Sequence, residues 1–263
     1  MLLLTADLLR LYHIKPFFQT NYYINTIMEN ISYESHRERL IVSADDFGVS
    51  SRCNRNILYL ISLGKIDRVG VMTRGIITAK EIAELNRSGV KIDIHLDILH
   101  EFENERKKRA GAFARVFGFL GRMFLLEILP GKVETEWKRQ IVIFQQMFGR
   151  SPDGISSHEH VHFFPLFFTI ALKIQKEFLI PYLRFGSNMN LRQNTLVAHI
   201  LRLLRLLNLR TFRRSSCVSS DELVSLDWLK NIDHFLNNLP EGKIEIACHP
   251  ELAEDFVKIK KYF

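Results

Sequence analysis

Leu40-Ile41-Val42-Ser43-Ala44-Asp45-Asp46-Phe47-Gly48 is an apolar run that ends in two adjacent acids and a turn signal. Aliphatic and β-branched residues in a short run predict a strand, and Phe-Gly behind the acids predicts a turn. Where strands run parallel, functional groups gather just beyond their carboxyl ends, so both acids are expected on a rim. Neighbouring residues leaving a strand point in different directions, which lets one carboxylate bind a cation while the other faces a substrate. The same residues also suit an ordinary turn or a helix cap.

Far along the chain, Ser157-His158-Glu159-His160-Val161-His162 sets three histidines in alternation. If the stretch is extended, all three imidazoles share a face; on a helix only His158 and His162 do. A solvated histidine run, or one core histidine with two spectators, is the bland alternative. The turn formers of Phe148 to Gly154 precede Ile155, so a strand is expected to start there and to carry the histidines at its end. Val90 to Leu96 reads as a strand with His95 on the face opposite the aliphatic residues, beside Lys91 and Asp93. Lys243 to Cys248 leads into His249-Pro250-Glu251, where proline stops the strand and leaves His249 at its tip. One strand histidine alone is usually structural. Several strand ends carrying Asp or His together offer what a metal-centred hydrolytic site needs: a carboxylate and imidazoles as ligands, and a second carboxylate to handle a proton.

Strand and helix patterns alternate along the body, as in α/β proteins. Asn54 to Leu63 reads as a helix closed by Gly64, Asp67 to Met72 as a strand, and Ala79 to Arg87 as a helix. Val133 to Phe148 and Phe167 to Phe178 read as helices, Tyr182 to Phe185 as a short strand, and Asp221 to Leu239 as helical. No repeat or low-complexity linker divides this body, and 263 residues suit one (β/α) barrel.

The order ADDFG, an apolar-His-Leu strand, SHxHVH and CHP resembles the YdjC-like carbohydrate deacetylases, which include chitooligosaccharide deacetylases and deacetylases associated with hopanoid biosynthesis. The resemblance covers about Arg39 to Glu251. It implies a distorted (β/α) barrel of the polysaccharide-deacetylase type that uses a divalent metal, Mg²⁺ or Zn²⁺, to remove acetyl groups from N-acetylated amino sugars, on oligosaccharides or lipid-linked sugars. By the same resemblance Asp46, His95 and His158 match the metal ligands, Asp45 the general base and His249 the proton donor. His160 and His162 match the rest of the motif, as groups behind the ligands or facing substrate, and Arg184 resembles a site-lining arginine. Two positions depart from the family pattern: Asp93 stands where glycine is usual, and Ser156 where an acid is usual. Losing that acid removes a partner that orients an imidazole. The departures prompt a second reading, a sugar-binding relative with impaired turnover; a metal-dependent phosphoesterase is a third.

Cys53, Cys217 and Cys248 are too few and too scattered for a disulfide framework or a zinc knuckle, which predicts a reducing, cytoplasmic setting. Alternation turns Cys248 away from His249, against a thiol nucleophile. Residues 1–36 are expected to be an extension outside a 37–263 domain, with Met28 a natural start. Met1 to Tyr12 is too short and too charged for a membrane span and lacks a cleavage site, though a membrane-targeting helix is an alternative. The net charge of +7 clusters at Arg106 to Arg109 and His199 to Arg214 without a nucleic-acid motif, so no nucleic-acid partner is expected. Leu201, Leu204 and Leu207 with Arg202 and Arg205 instead predict an amphipathic barrel helix with a solvated basic face, or a peripheral contact with an anionic membrane through 199–214. Phe113 to Leu129 reads as a substrate-covering insertion or a core helix pair. The chain ends at Phe263, sooner after Pro250 than the resemblance implies, so the last barrel helix is expected to be incomplete and a partner subunit in a homodimer to cover the gap.

Overall fold

The computed structural model describes residues 37–98, 129–188 and 195–263. The chain divides into two compact units, Met1–Leu40 and Ile41–Phe263. The extension expected over residues 1–36, the basic run Arg106 to Arg109, and Phe113 to Leu129 save its last residue lie outside the described residues.

Seven strands form one sheet: β1 (Leu40–Phe47), β2 (Arg68–Val71), β3 (Lys91–Leu96), β4 (Gly154–Ser157), β5 (Tyr182–Leu183), β6 (Glu222–Ser225) and β7 (Ile244–Cys248), in the order β5-β4-β3-β2-β1-β7-β6. The pairings from β1 through β5, and that of β6 with β7, are parallel. Both ends of this order come back together. Tyr182 bridges to Val218 in parallel, and the N–H groups of Ser187 and Asn188 donate to the carbonyls of Ser220 and Asp221 just ahead of β6. The result is the distorted barrel that the alternating elements and the family resemblance lead one to expect.

Helices α1 (Ser51–Ser62), α2 (Ala79–Arg87), α3 (Pro130–Phe148), α4 (Pro165–Glu177), α5 (Leu196–Arg214), α6 (Ile232–Asn237) and α7 (Ala253–Tyr262) lie between and after the strands. Their ends follow local chemistry. Thr78 and Glu81 form a reciprocal capping box on α2, Pro130 and Pro165 open α3 and α4, and Gly149 closes α3 in the left-handed conformation. α2 matches its expected span. The helical expectation for Asp221 to Leu239 fails in part, because Glu222–Ser225 is a strand, with a 3₁₀ turn at Leu226–Trp228 and only Ile232–Asn237 in α-helix. Four residues carry too little periodicity to declare themselves, and pairing with the buried β7 decides their state.

α5 also sits differently from its leucine pattern. Arg205 is buried and donates to the carbonyls of Phe185 and Gly186, whereas Leu207 faces solvent. Backbone carbonyls left open beyond β5 draw the guanidinium inward, and this decides the rotation of the helix.

Alternate residues on each strand point to the helices and pack there: Val42, Ala44, Val69, Val71, Ile92, Ile94, Ile155, Leu183, Ile244 and Ile246 are all buried. Trp137 and Phe167 meet edge to face where α3 packs on α4. The opposite set fills the barrel with polar groups. Arg68 forms a bidentate pair with Asp93 (2.6 and 2.7 Å) and lies over the Tyr182 ring, whose hydroxyl donates to Glu245. Asp93, odd against the family pattern, is thus half of an internal ion pair with a steric consequence. A Cβ at Gly154 would stand 2.6 Å from Arg68 Nη2 and 2.7 Å from Asp93 Oδ1, so only glycine leaves the pair room.

Removing one partner of a buried pair strands the other charge. Asp93→Ala is therefore expected to cost about 3–5 kcal/mol in urea unfolding. Arg68→Met combined with Asp93→Leu is expected to recover most of that loss; a double variant no more stable than the single one would refute this account.

Candidate metal centre

The acids at the end of β1 are separated by a break in the strand. Pairing with β2 shifts register between Ala44 and Phe47, and Asp46 has a left-handed φ of 67°. Asp45 continues the inward-facing set of the strand, while the kink turns Asp46 across the barrel mouth. The carboxylates diverge, as expected of neighbours at a strand end.

Asp46 meets the two imidazoles matched with it. Its Oδ1 lies 3.0 Å from His158 Nδ1 and 3.4 Å from His95 Nε2. One ligand atom from each of the three residues falls within 4.8 Å of the others. Ligand bonds of about 2.0–2.2 Å to one ion put neighbouring donor atoms roughly 3–3.5 Å apart. The donor set and its spacing fit a divalent cation.

The imidazoles are presented by different means. His95 is buried on β3, and its Nδ1 lies 2.8 Å from Ser156 Oγ on the adjacent β4. Nδ1–H donating to that hydroxyl leaves the Nε2 lone pair facing Asp46. Ser156, at the position where the family pattern has an acid, thus retains a hydrogen bond that orients the ring. His158 begins a 3₁₀ turn, His158–Phe163, in which Glu159 and His160 both have φ of 52°. The stretch is therefore neither extended nor α-helical, and neither expected face is realised. Burial works against a charged His158, but the Asp46 carboxylate outweighs it and holds the imidazolium up at about 10. The same contact holds Asp46 well below the usual carboxylate range despite its burial.

Asp45 lies in a different field. Arg184 grips it with Nη1–Oδ2 at 2.6 Å and Nη2–Oδ1 at 2.8 Å, and His95 Nδ1 stands 3.8 Å from Oδ1. Burial would raise its carboxyl, but Arg184 and then His95 hold it down at about 2. Arg184, which resembles a site-lining arginine, stands at the strand end behind Asp45. It is fully buried, with Nε on Glu245 and Nη2 also on Ser43.

The remaining histidines separate by environment. His162 is fully buried, with Nδ1 2.5 Å from Ser157 Oγ and Nε2 2.8 Å from the Arg184 carbonyl. With both ring nitrogens engaged, it braces the turn. His160 stacks on Phe163 and has Arg184, Asp45 and His249 among its electrostatic neighbours. Its Nδ1 is buried without a hydrogen-bond partner. His249 is partly exposed at the end of β7, and its backbone N–H donates to the buried carboxylate of Asp255 on α7, with Nδ1 3.9 Å from the same oxygen. Cys248 points away from it, its Sγ on the Ser43 carbonyl, and burial pushes the thiol well above its ordinary range. Three partners escape the sequence reading: Ser43, Glu245 and Asp255. A lone acid inside the apolar Ile244–Cys248 strand signals Glu245; nothing local marks Asp255.

The chain spans about half the length of the vertebrate relatives it matches. It is 27% identical over 171 residues to the carbohydrate deacetylase of Danio rerio, covering 62% of this chain and 54% of that protein. To the human carbohydrate deacetylase it is 29% identical over 139 residues, covering 49% of this chain and 42% of that one. A chitooligosaccharide deacetylase of Escherichia fergusonii is 25% identical over 229 residues and covered to 85% on both sides. Among solved structures, a candidate cellobiose-phosphate cleavage protein of Enterococcus faecalis superposes with a TM-score of 0.54 at 19% identity over 80% of each chain, a likeness of fold. The model of one family, described as YdjC-like protein, matches residues 39–261, a span that holds every strand-end group described above. The chain belongs to the YdjC-like family.

Proposed function

We propose that the 37–263 domain is a metal-dependent hydrolase that removes the acetyl group from an N-acetylated amino sugar. The observation that supports it most is the meeting of Asp46, His95 and His158, from three separate strand ends, beside a second carboxylate held by an arginine. Relatives named as carbohydrate and chitooligosaccharide deacetylases support the substrate class.

Asp46, His95 and His158 are assigned as ligands. Imidazole suits zinc, and carboxylate with water suits magnesium, so either ion fits this mixed set. An ion bound there supplies Lewis acidity, polarising the acetyl carbonyl and easing deprotonation of water. Asp45 accepts the proton of the attacking water. Its ionised state is secured by Arg184, and the fork of two hydrogen bonds fixes the plane of the carboxylate. His249 donates a proton to the departing amine, its backbone tied to Asp255. His160 is assigned to the substrate, because its half-buried ring keeps an unpartnered nitrogen close to both proton-handling groups. The hydrogen bond that His95 Nδ1 donates to the Ser156 hydroxyl weighs against the reading of an impaired relative, which rested on the missing acid.

Asp45→Asn and His249→Ala are each expected to lower kcat for acetate release by about 10²–10⁴-fold while metal content stays at the parental level. Parental rates in both would remove these roles. Acetate release from acetylated chitooligosaccharides should cease with chelator and return with added Mg²⁺ or Zn²⁺. Oligosaccharide binding with no acetate release under any metal would favour the non-hydrolytic relative.

Ser156→Ala should weaken metal binding by about ten- to a hundredfold, as loss of an imidazole-orienting partner does elsewhere. Ser156→Asp should keep the parental affinity, because the carboxylate can accept the same hydrogen bond. Equal affinity in all three proteins, by calorimetric titration, would show that the hydroxyl does not orient His95.

A further inference from the structure

Helix α5 presents a surface that the proposed hydrolytic site does not use. One side packs inward through Ala198, Leu201, Arg205, Asn208 and Phe212, with Asn208 Nδ2 donating to the Phe163 carbonyl at 2.7 Å. At helical spacing on the opposite side stand Leu196, Leu203, Leu207, Arg210 and Arg214, with Leu206 and Arg213 beside them, all exposed. Leu203 is 58% and Leu207 61% exposed. Single exposed leucines are ordinary, but four on one side of a helix, with exposed His199 between Leu196 and Leu203, make an apolar patch that suits a contact.

The charge on this helix is of one sign. Its 19 residues, LVAHILRLLRLLNLRTFRR, contain no acid. The stripe is graded as well, with leucines in the first turns and arginines in the last. Beyond its arginine end, Val218 is 61% exposed and hydrogen-bonds to Pro181, and nearby Leu179 is 84% exposed in left-handed backbone. Among the described residues no helix is long and apolar enough to cross a membrane, so a spanning role is not available to α5.

We propose that α5 docks flat on an anionic lipid bilayer. Leu196, Leu203, Leu206 and Leu207 enter the boundary between headgroups and chains, and Arg210, Arg213 and Arg214 face the lipid phosphates. The absence of acids selects an anionic partner. The convex face of one helix offers no groove for a peptide, and a soft planar surface can close around it. The inference is independent of the deacetylase reading, since it uses none of the residues at the barrel mouth.

Vesicle flotation of the full 263-residue chain tests it. The protein should float with phosphatidylcholine vesicles containing phosphatidylglycerol and remain below with phosphatidylcholine alone. Leu203→Glu with Leu207→Glu, and separately Arg210→Glu with Arg213→Glu and Arg214→Glu, should each reduce partitioning about tenfold or more. Both variants should keep the parental thermal unfolding midpoint. If the glutamate pair unfolds, Leu203→Asn with Leu207→Asn gives the reading. No flotation with anionic vesicles, equal flotation with neutral ones, or anionic flotation unchanged in the variants overturns the proposal. A parental dimer that Leu203→Glu with Leu207→Glu converts to monomer overturns it too, and assigns the stripe to a second copy of the chain.

Discussion

The guanidinium of Arg184 is the contact on which the candidate site depends. It joins Asp45 and Ser43 of β1 to Glu245 of β7 from a position just past β5, and its own carbonyl receives His162 from the histidine turn. A bidentate pair of this kind specifies direction as well as charge, because two parallel hydrogen bonds hold the carboxylate in the plane of the guanidinium. A lysine could match the charge but could not bridge these three acceptors in fixed geometry. Burial makes the arrangement demanding. With the cation removed, Asp45 and Glu245 would be left as uncompensated buried carboxylates, so the fold and the site stand or fall together here.

Local backbone strain supplies the rest of the geometry. Asp46, Glu159 and His160 are non-glycine residues with positive φ, and all three lie at the barrel mouth. Such conformations are unfavourable and persist where surrounding contacts over-determine them. The contacts are present: His162 N and Nδ1 both engage Ser157 Oγ, the Phe164 N–H closes on the Val161 carbonyl, and His160 lies flat on Phe163. These contacts turn His158 toward Asp46 while sending His162 to the back of the barrel. The histidines alternate in sequence, but they reach different destinations because the chain between them is kinked.

This kink marks the limit of what could be read from residues alone. Asp45, Asp46, His95, His158 and His249 were legible because each follows an apolar run or interrupts one, and strand ends in parallel sheets converge on one rim. The helix Ala79–Arg87 was legible because a complete capping box precedes it. Left-handed φ at a glutamate and a histidine has no sequence signal, so the histidine face could not be chosen between strand and helix. Arg205 misled because arginine is expected at a surface, and only tertiary placement reveals buried acceptors that satisfy it. Asp93 looked like a defect until Arg68 and Gly154 stood around it.

The proposed division of labour between Asp45 and Asp46 rests on the placement of positive charge. Asp45 has a fixed guanidinium at hydrogen-bonding distance, and a second cation brought to it would face that guanidinium across the same carboxylate. The neighbours of Asp46 are the imidazoles of His158 and His95, which carry no permanent charge and ligate in their neutral form, a bound ion taking the place of the proton that Asp46 holds on His158. A divalent ion would therefore settle on the Asp46 side and leave Asp45 ionised but uncoordinated beside it. Both groups are aspartates, one residue apart, with the same intrinsic acidity. The strand break turns one toward histidines and leaves the other on arginine, and the separate roles proposed for the two carboxylates rest on that difference in surroundings.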